Sequence, residues 1–249
     1  MGDRADALVF VPAWNEEASI GAVLDELQAN VEADLLVVDD GSTDATATVA
    51  RSRGAALLSF DANRGLRAAI AAGYGYASEH GYSFCGRVDA DGQHPAAELA
   101  RLLARVRSGL CDVAVGSRFV SGGGYAPYRY RPSTSRVLGI ALLRRSMAVG
   151  LGHRFADATS GLYAVNAKAM PILAEEYTSG APEVEGLLRL AEAGLTVEEV
   201  PVDMRERASG ESKLRGRKAV KLVVTVVGTL VVLGGLQAWR RHRSRLEHR

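Results

Sequence analysis

Asp89-Ala90-Asp91-Gly92-Gln93 sets two carboxylates two positions apart at the end of an apolar run. Both acids can point at one hard cation, and small Ala90 and Gly92 let the backbone turn tightly. A Mg²⁺ or Mn²⁺ ion held by few protein ligands keeps open positions for phosphates. Its charge would offset the charge developing on a departing diphosphate. Gln93 can add a carbonyl ligand. The competing reading is a plain turn, since Asp and Gly are turn formers.

Three other stretches carry groups of similar use. In Val38-Asp39-Asp40-Gly41-Ser42-Thr43-Asp44, Asp39 or Asp40 can accept from a base N–H or a ribose hydroxyl. Ser42, Thr43 and Asp44 are better read as caps of the helix that follows, which leaves the paired acids before Gly41 unexplained. In Glu206-Arg207-Ala208-Ser209-Gly210-Glu211-Ser212-Lys213, Arg207 can grip phosphate oxygens bidentately and Lys213 adds a point charge. Such a loop can close over a diphosphate and exclude water; a solvated charged loop is the alternative. Arg118, Arg129, Arg131 and Arg136 lie among Tyr125, Tyr128 and Tyr130, a mixture suited to an anionic head group near a membrane interface. Asn63-Arg64-Gly65 reads as a helix-start turn, and His94 as a polar loop residue rather than a ligand.

Those groups need a scaffold that gathers them. Short apolar runs at 8–11, 35–38, 56–58, 83–88 and 113–115 predict strands. Helical patterns lie between them at 17–29, 44–53, 66–80 and 96–108. Alternation at this spacing predicts an α/β fold with parallel βαβ units in a sheet covered on both faces. Functional residues should then collect at the carboxyl ends of the strands, where the acidic clusters do fall. A loop at 121–132 precedes a predicted helix at 133–149, and a polar stretch at 203–217 precedes an apolar C-terminal segment.

The chain has 249 residues, 47% of them hydrophobic and 24% charged, enough for one full core with an appendage. A net charge of +1 gives no reason to expect nucleic acid as a partner. Cys85 and Cys111 lack framework spacing and read as buried, reduced thiols. The charged N-terminus runs directly into a strand, unlike a signal peptide, so the catalytic part is expected in the cytosol.

In order along the chain, the motifs resemble family 2 glycosyltransferases, above all the polyprenyl-phosphate sugar synthases of the dolichyl-phosphate mannosyltransferase type. The matching pieces are Val11-Pro12-Ala13-Trp14-Asn15-Glu16-Glu17, Val38-Asp39-Asp40-Gly41-Ser42, Asn63-Arg64-Gly65, Asp89-Ala90-Asp91-Gly92-Gln93-His94-Pro95, Gly116-Ser117-Arg118, Ser160-Gly161-Leu162-Tyr163, and Arg207 with Gly210, Ser212 and Lys213. The resemblance implies a GT-A fold, Rossmann-like and mostly parallel, and a GDP- or UDP-sugar donor. It also implies a Mg²⁺ or Mn²⁺ ion at Asp89 and Asp91 with Gln93 assisting. Pro12, Ala13, Glu17 and Asp39 would line the nucleoside site, with Asp89 also on the donor side. Arg207 and Lys213 would hold the donor phosphates and, with Asp91, carry catalysis. Arg118, Arg131 and Ser135 would meet the acceptor phosphate. Trp14 stands where the family usually has Tyr, and Arg67 where a small residue is common.

A lipid phosphate is already ionised near neutral pH and needs no strong base; in-line attack opposite the leaving diphosphate predicts inversion. Were the acceptor a saccharide or other hydroxyl, Glu183 or Glu185 would be the first base candidates. A non-catalytic nucleotide-sugar-binding module would have no need of the acids and cations together. The expected division is a catalytic domain at 1–216 and an apolar helix with a basic tail at 217–249. Residues 222–239 carry no charge; as a helix they would reach about 27 Å at ~1.5 Å per residue, slightly short of a hydrocarbon core. This predicts attachment to the cytoplasmic face of the membrane, as a peripheral helix, a single span, or a helix packed on a membrane partner protein or a second copy. Residues 1–216 alone are therefore expected to stay soluble without detergent in fractionation while the full chain does not; equal solubility would sink the assignment.

Overall fold

The computed structural model describes residues 5–120, 124–125, 155–157 and 160–205. The predicted helix at 133–149, the apolar segment at 222–239, and Arg131, Ser135, Arg207 and Lys213 lie outside them.

Seven strands form one sheet: β1 (Ala7–Ala13), β2 (Asp34–Asp39), β3 (Ala56–Ser59), β4 (Phe84–Arg87), β5 (Val113–Ser117), β7 (Tyr163–Asn166) and β8 (Val197–Pro201). Their order is β3-β2-β1-β4-β7-β5-β8. A second pairing joins β6 (Gly124–Tyr125) to β9 (Asp203–Met204). The helices are α1 (Ile20–Asn30), α2 (Thr46–Ser52), α3 (Leu66–Glu79), α4 (Ala96–Arg107), α5 (Met170–Ala174) and α6 (Pro182–Glu192). All sheet pairings are parallel except those of β7, which runs antiparallel to both β4 and β5. The mostly parallel α/β fold expected from the sequence is therefore present. The elements after β5, including reversed β7, have no counterpart in the sequence reading.

The continuous apolar strands follow from burial on both faces. In β1, Leu8 and Phe10 pack into a core with Ile70 and Tyr74 of α3, Leu173 of α5 and Leu187 of α6. The alternate residues Val9 and Val11 face a second core with Leu24 and Leu27 of α1 and Leu99 and Leu103 of α4. This is the period of two that a strand imposes on its side chains. Helix α1 begins three residues later than the periodicity predicts. The chain between β1 and α1 instead makes a loop with Asn15 in the left-handed region, at φ 54°. That loop is tied to the one after β2: the Asn15, Glu16 and Glu17 amides donate to Ser42 Oγ, Thr46 Oγ1 and Asp44 Oδ2 at 2.9, 2.8 and 3.2 Å. Among the described residues no helix is long and apolar enough to cross a membrane.

The approach of α3 to β1 depends on Gly73, where a Cβ would lie 2.3 Å from the Phe10 ring. Phe10 is fully buried and meets Tyr74 edge-on at 4.9 Å. Gly73→Ala is expected to destabilise the fold by about 2–3 kcal/mol through overpacking. Urea melts would check this, and adding Phe10→Leu should recover part of the loss.

Candidate active site

Strand order creates a crevice. The chain moves outward from β1 to β2 and β3, then crosses to β4 on the other side of β1. The carboxyl ends of β1 and β4 thus diverge at a switch point, where open α/β sheets bind ligands. Pro12 and Ala13 end β1, Asp39 ends β2, Asp89 and Asp91 follow β4, and Arg118 follows β5. The described site residues expected from the sequence do collect along one edge.

On the β2 side the structure separates the two adjacent acids. Asp40, 3% exposed, accepts from the Arg64 amide at 2.6 Å, the Gly65 amide at 2.8 Å and Asn63 Nδ2 at 3.0 Å. It thereby holds the turn that starts α3, whose first amides lack intrahelical acceptors. Asn63-Arg64-Gly65 is the helix-start turn the sequence suggested, and Asp40 is what fixes it. Among the described residues Asp39 accepts only from the Ser42 amide at 3.1 Å and Ser59 Oγ at 3.4 Å, so more of its acceptor capacity remains available to a ligand. Pro12 and Ala13 are buried beside it. Glu17 Oε2 accepts from the Ala45 amide at 2.9 Å, just before α2. Asp44 also serves α2: burial works to raise its pKa, but hydrogen bonds from Thr46 and the Glu17 amide hold the carboxyl below its usual range.

On the β4 side, Gly92 takes φ 74° and turns the chain between Asp91 and Gln93. Asp91 Oδ1 accepts from the Gln93 amide at 3.0 Å. Gln93 in turn is joined to Arg205, which follows β9: the Arg205 amide donates to the Gln93 carbonyl at 2.8 Å, and Gln93 Nε2 donates to the Arg205 carbonyl at 3.3 Å. The Gln93 side chain therefore uses a donor here, leaving its amide oxygen for other work. Arg205 is anchored to Glu26 of α1 at 2.6 and 2.9 Å. The Asp89 amide donates to His94 Nδ1 at 3.4 Å, which puts the ring proton on Nε2. Burial lowers the His94 pKa against the pull of Asp89 and Asp91, so the ring is held neutral.

The Asp89 carboxylate lies directly over Gly161, where a Cβ would come within 2.2 Å of Oδ2. On its other side Arg87 Nη2 approaches Oδ1 at 3.4 Å. Among the described residues no group of three metal-binding side chains is preassembled. Asp89 and Asp91 offer a pair, the sparse donor set of a Mg²⁺ or Mn²⁺ site completed by substrate phosphates. The glycine cradle beside Asp89 and the Gln93 side-chain amide oxygen, which accepts no hydrogen bond among the described residues, fit that use.

The arginines and acids farther along the edge are paired with one another. Arg118 grips Asp157 through Nε at 2.6 Å and Nη2 at 2.7 Å, with the Asp157 side chain 0% exposed. The Ala156 and Asp157 amides are held by Glu199 of β8 at 2.6 and 2.7 Å. Arg67 Nη1 donates to the Ser179 carbonyl at 3.3 Å, joining the start of α3 to the chain before α6. Glu183 pairs with Arg87 at 3.0 Å. Glu185 takes Thr178 and Ser179 amides at 3.1 and 2.7 Å and pairs with Arg189 at 2.6 Å. Burial pushes the Glu185 pKa upward, but these hydrogen bonds and the Arg189 charge outweigh it and keep the carboxylate ionised below its usual range. Sequence reasoning missed Arg87, Asp157 and the role of Gly161. Arg87 had one signal, a cation inside an otherwise apolar strand.

Gly161→Ala should push Asp89 from its seat while sparing the two cores. Turnover is expected to fall on the order of 10²-fold, as for an ångström-scale misplacement of a reacting group, with little change in melting temperature.

The sequence model of glycosyl transferase family 2 matches residues 8–164. The chain is 35% identical over 251 residues to the undecaprenyl-phosphate mannosyltransferase of Micrococcus luteus, covering 96% of this chain and 98% of the relative. It is 31% identical to the polyprenol monophosphomannose synthase of Mycolicibacterium smegmatis, covering 84% of this chain and 81% of that one. In fold it resembles glucosyl-3-phosphoglycerate synthase from Mycobacterium tuberculosis, solved with Mn²⁺, uridine diphosphate and glucosyl-3-phosphoglycerate. That match has a TM-score of 0.66 at 22% identity, and covers 93% of this chain and 80% of the other. With the family model matching residues 8–164 and a relative 35% identical along 96% of its length, the chain belongs to glycosyl transferase family 2.

Proposed function

We propose that this chain transfers a hexose, with inversion, from a nucleoside diphosphate sugar to a polyprenyl phosphate at the cytoplasmic face of the membrane. The observation that carries the acceptor class is the state of Glu183 and Glu185. Both are engaged by arginines, at 3.0 and 2.6 Å, and the Glu185 carboxyl is held below its usual range, against the opposing effect of burial, by hydrogen bonds from Ser179 and Thr178 and by the Arg189 charge. A carboxylate already engaged by a guanidinium is poorly placed to take a proton from an incoming hydroxyl. An acceptor that arrives already ionised, as a phosphate monoester does, has no need of a base. The polyprenyl-linked acceptors named for both relatives support the same class.

On this reading Pro12, Ala13, Glu17 and Asp39 receive the nucleoside, with Asp39 accepting from a base N–H or ribose hydroxyl. Asp89 and Asp91, with the Gln93 carbonyl, hold a Mg²⁺ or Mn²⁺ ion, as the Mn²⁺ and uridine diphosphate bound in the structural neighbour support. The ion supplies positive charge to the diphosphate as it departs. Arg207 and Lys213 hold the donor phosphates. They follow closely on Arg205, whose backbone is joined to Gln93. Arg118, fixed by Asp157, and Arg131 and Ser135 receive the acceptor phosphate. The Asp157 carboxylate fixes the Arg118 guanidinium in one place but also offsets its charge and occupies its Nε–Nη2 fork, so an acceptor phosphate would meet the remaining donors. The apolar segment at 222–239 brings the site to the lipid surface.

Incubation with labelled UDP- and GDP-sugars and a polyprenyl phosphate is expected to give organic-extractable product that chelator abolishes. Asp91→Ala should lower the rate on the order of 10²–10³-fold, the scale of losing one charge-stabilising group. Label confined to water-soluble product would indicate a saccharide or small-molecule hydroxyl as acceptor instead.

A further inference from the structure

Arg87 is a buried cation to which the reaction above gives no task. It ends β4, is 2% exposed, and sits opposite Tyr163 across the antiparallel pairing with β7. Its Nη2 reaches Glu183 Oε1 at 3.0 Å and Asp89 Oδ1 at 3.4 Å. Its Nε and the Tyr163 hydroxyl, both buried, have no hydrogen-bond partner among the described residues. They line a small pocket with Tyr74, Leu173, Tyr177 and Pro182. Burial opposes the charge, but Asp89 and Glu183 hold the guanidinium firmly protonated. A charge kept in so apolar a place, with one N–H unanswered, is costly to the fold. Such costs are commonly retained where they serve a site.

The geometry gives it a use. A guanidinium touching Asp89 competes with a divalent cation for the same carboxylate. Glu183, at the start of α6, lies closer to the guanidinium and shares its charge. Its side chain is 17% exposed against 35% for Asp89, so the Arg87–Glu183 contact is the less screened of the two. We propose that Arg87 and Glu183 form a positioning pair that sets how tightly Asp89 holds a divalent cation. Arg87 orients the carboxylate over Gly161, and Glu183 keeps the guanidinium from closing fully on it. This rests on the reading that Asp89 and Asp91 hold such an ion with a nucleoside diphosphate. It gives Glu183 a task other than that of a base.

The test is Mn²⁺ binding to the full-length protein, followed by the electron paramagnetic resonance signal of free Mn²⁺ with UDP or GDP present. Glu183→Gln is expected to weaken Mn²⁺ binding about tenfold, the usual scale for removing a group that orients a metal ligand. Arg87→Met combined with Glu183→Gln removes both charges and is expected to return affinity to within about threefold of the original. Glu183→Asp, which keeps the charge, should do the same and serves if the double variant does not fold. Unchanged Mn²⁺ affinity in folded Glu183→Gln protein would overturn the proposal. So would affinity that stays low in both the double variant and Glu183→Asp, since a mere rivet between β4 and α6 predicts that. Loss of turnover in Glu183→Gln with Mn²⁺ binding intact would instead make Glu183 a base and also overturn it. If the unaltered protein takes up no Mn²⁺ with either nucleotide, or Asp91→Ala takes it up equally well, the cation reading itself fails and this proposal with it.

Discussion

Asp89 sits between a residue with no side chain and a cation that cannot be discharged, and the site takes its shape from that confinement. Gly161 lets the carboxylate rest against the backbone, and Arg87 approaches it from the interior. The Gly161 contact exists because β7 enters the sheet antiparallel, between β4 and β5, whereas Arg87 and Asp89 meet because they lie two residues apart where β4 ends. Reversal brings the amino end of β7 to the edge where the parallel strands end, so Ser160, Gly161 and Leu162 meet the residues that follow β4. With β7 parallel, that edge would carry its carboxyl end instead, and Asp89 would lack its seat.

Charge along this edge is arranged by pairing more than by exposure. Asp40 answers the amides that open α3, Arg118 is answered by buried Asp157, and Glu185 by Arg189. A buried ion left single is expensive, whereas a paired and hydrogen-bonded one is tolerated and rigid. The consequence is an edge whose fixed groups are already in position before any ligand arrives. Such preorganisation is the means by which electrostatic catalysis avoids reorganising its surroundings at the moment of reaction.

The fold is shared with an enzyme named for glucosyl-3-phosphoglycerate, while two relatives that match along most of the chain are named for polyprenyl acceptors. The sheet alone therefore does not select the acceptor.

How much could be read without coordinates depended on the range of the interactions. The strands β1 to β5, the helices between them and the gathering of acids at one edge follow from local periodicity and turn chemistry, and all were legible in residues 8–117. So was the Asp89–Gln93 turn, because Gly92 and two acids two apart are a local pattern. Asp39 and Asp40 were not separable by sequence, since neighbours of one type differ only in what the fold brings to them: three donors from the α3 turn for one, weaker contacts for the other. The direction of β7, the glycine beneath Asp89, and the links Arg87–Glu183 and Arg118–Asp157 join residues far apart in the chain. No periodicity encodes such contacts. They arise only when the packed sheet sets a strand's direction and low-dielectric burial makes each charge find its opposite.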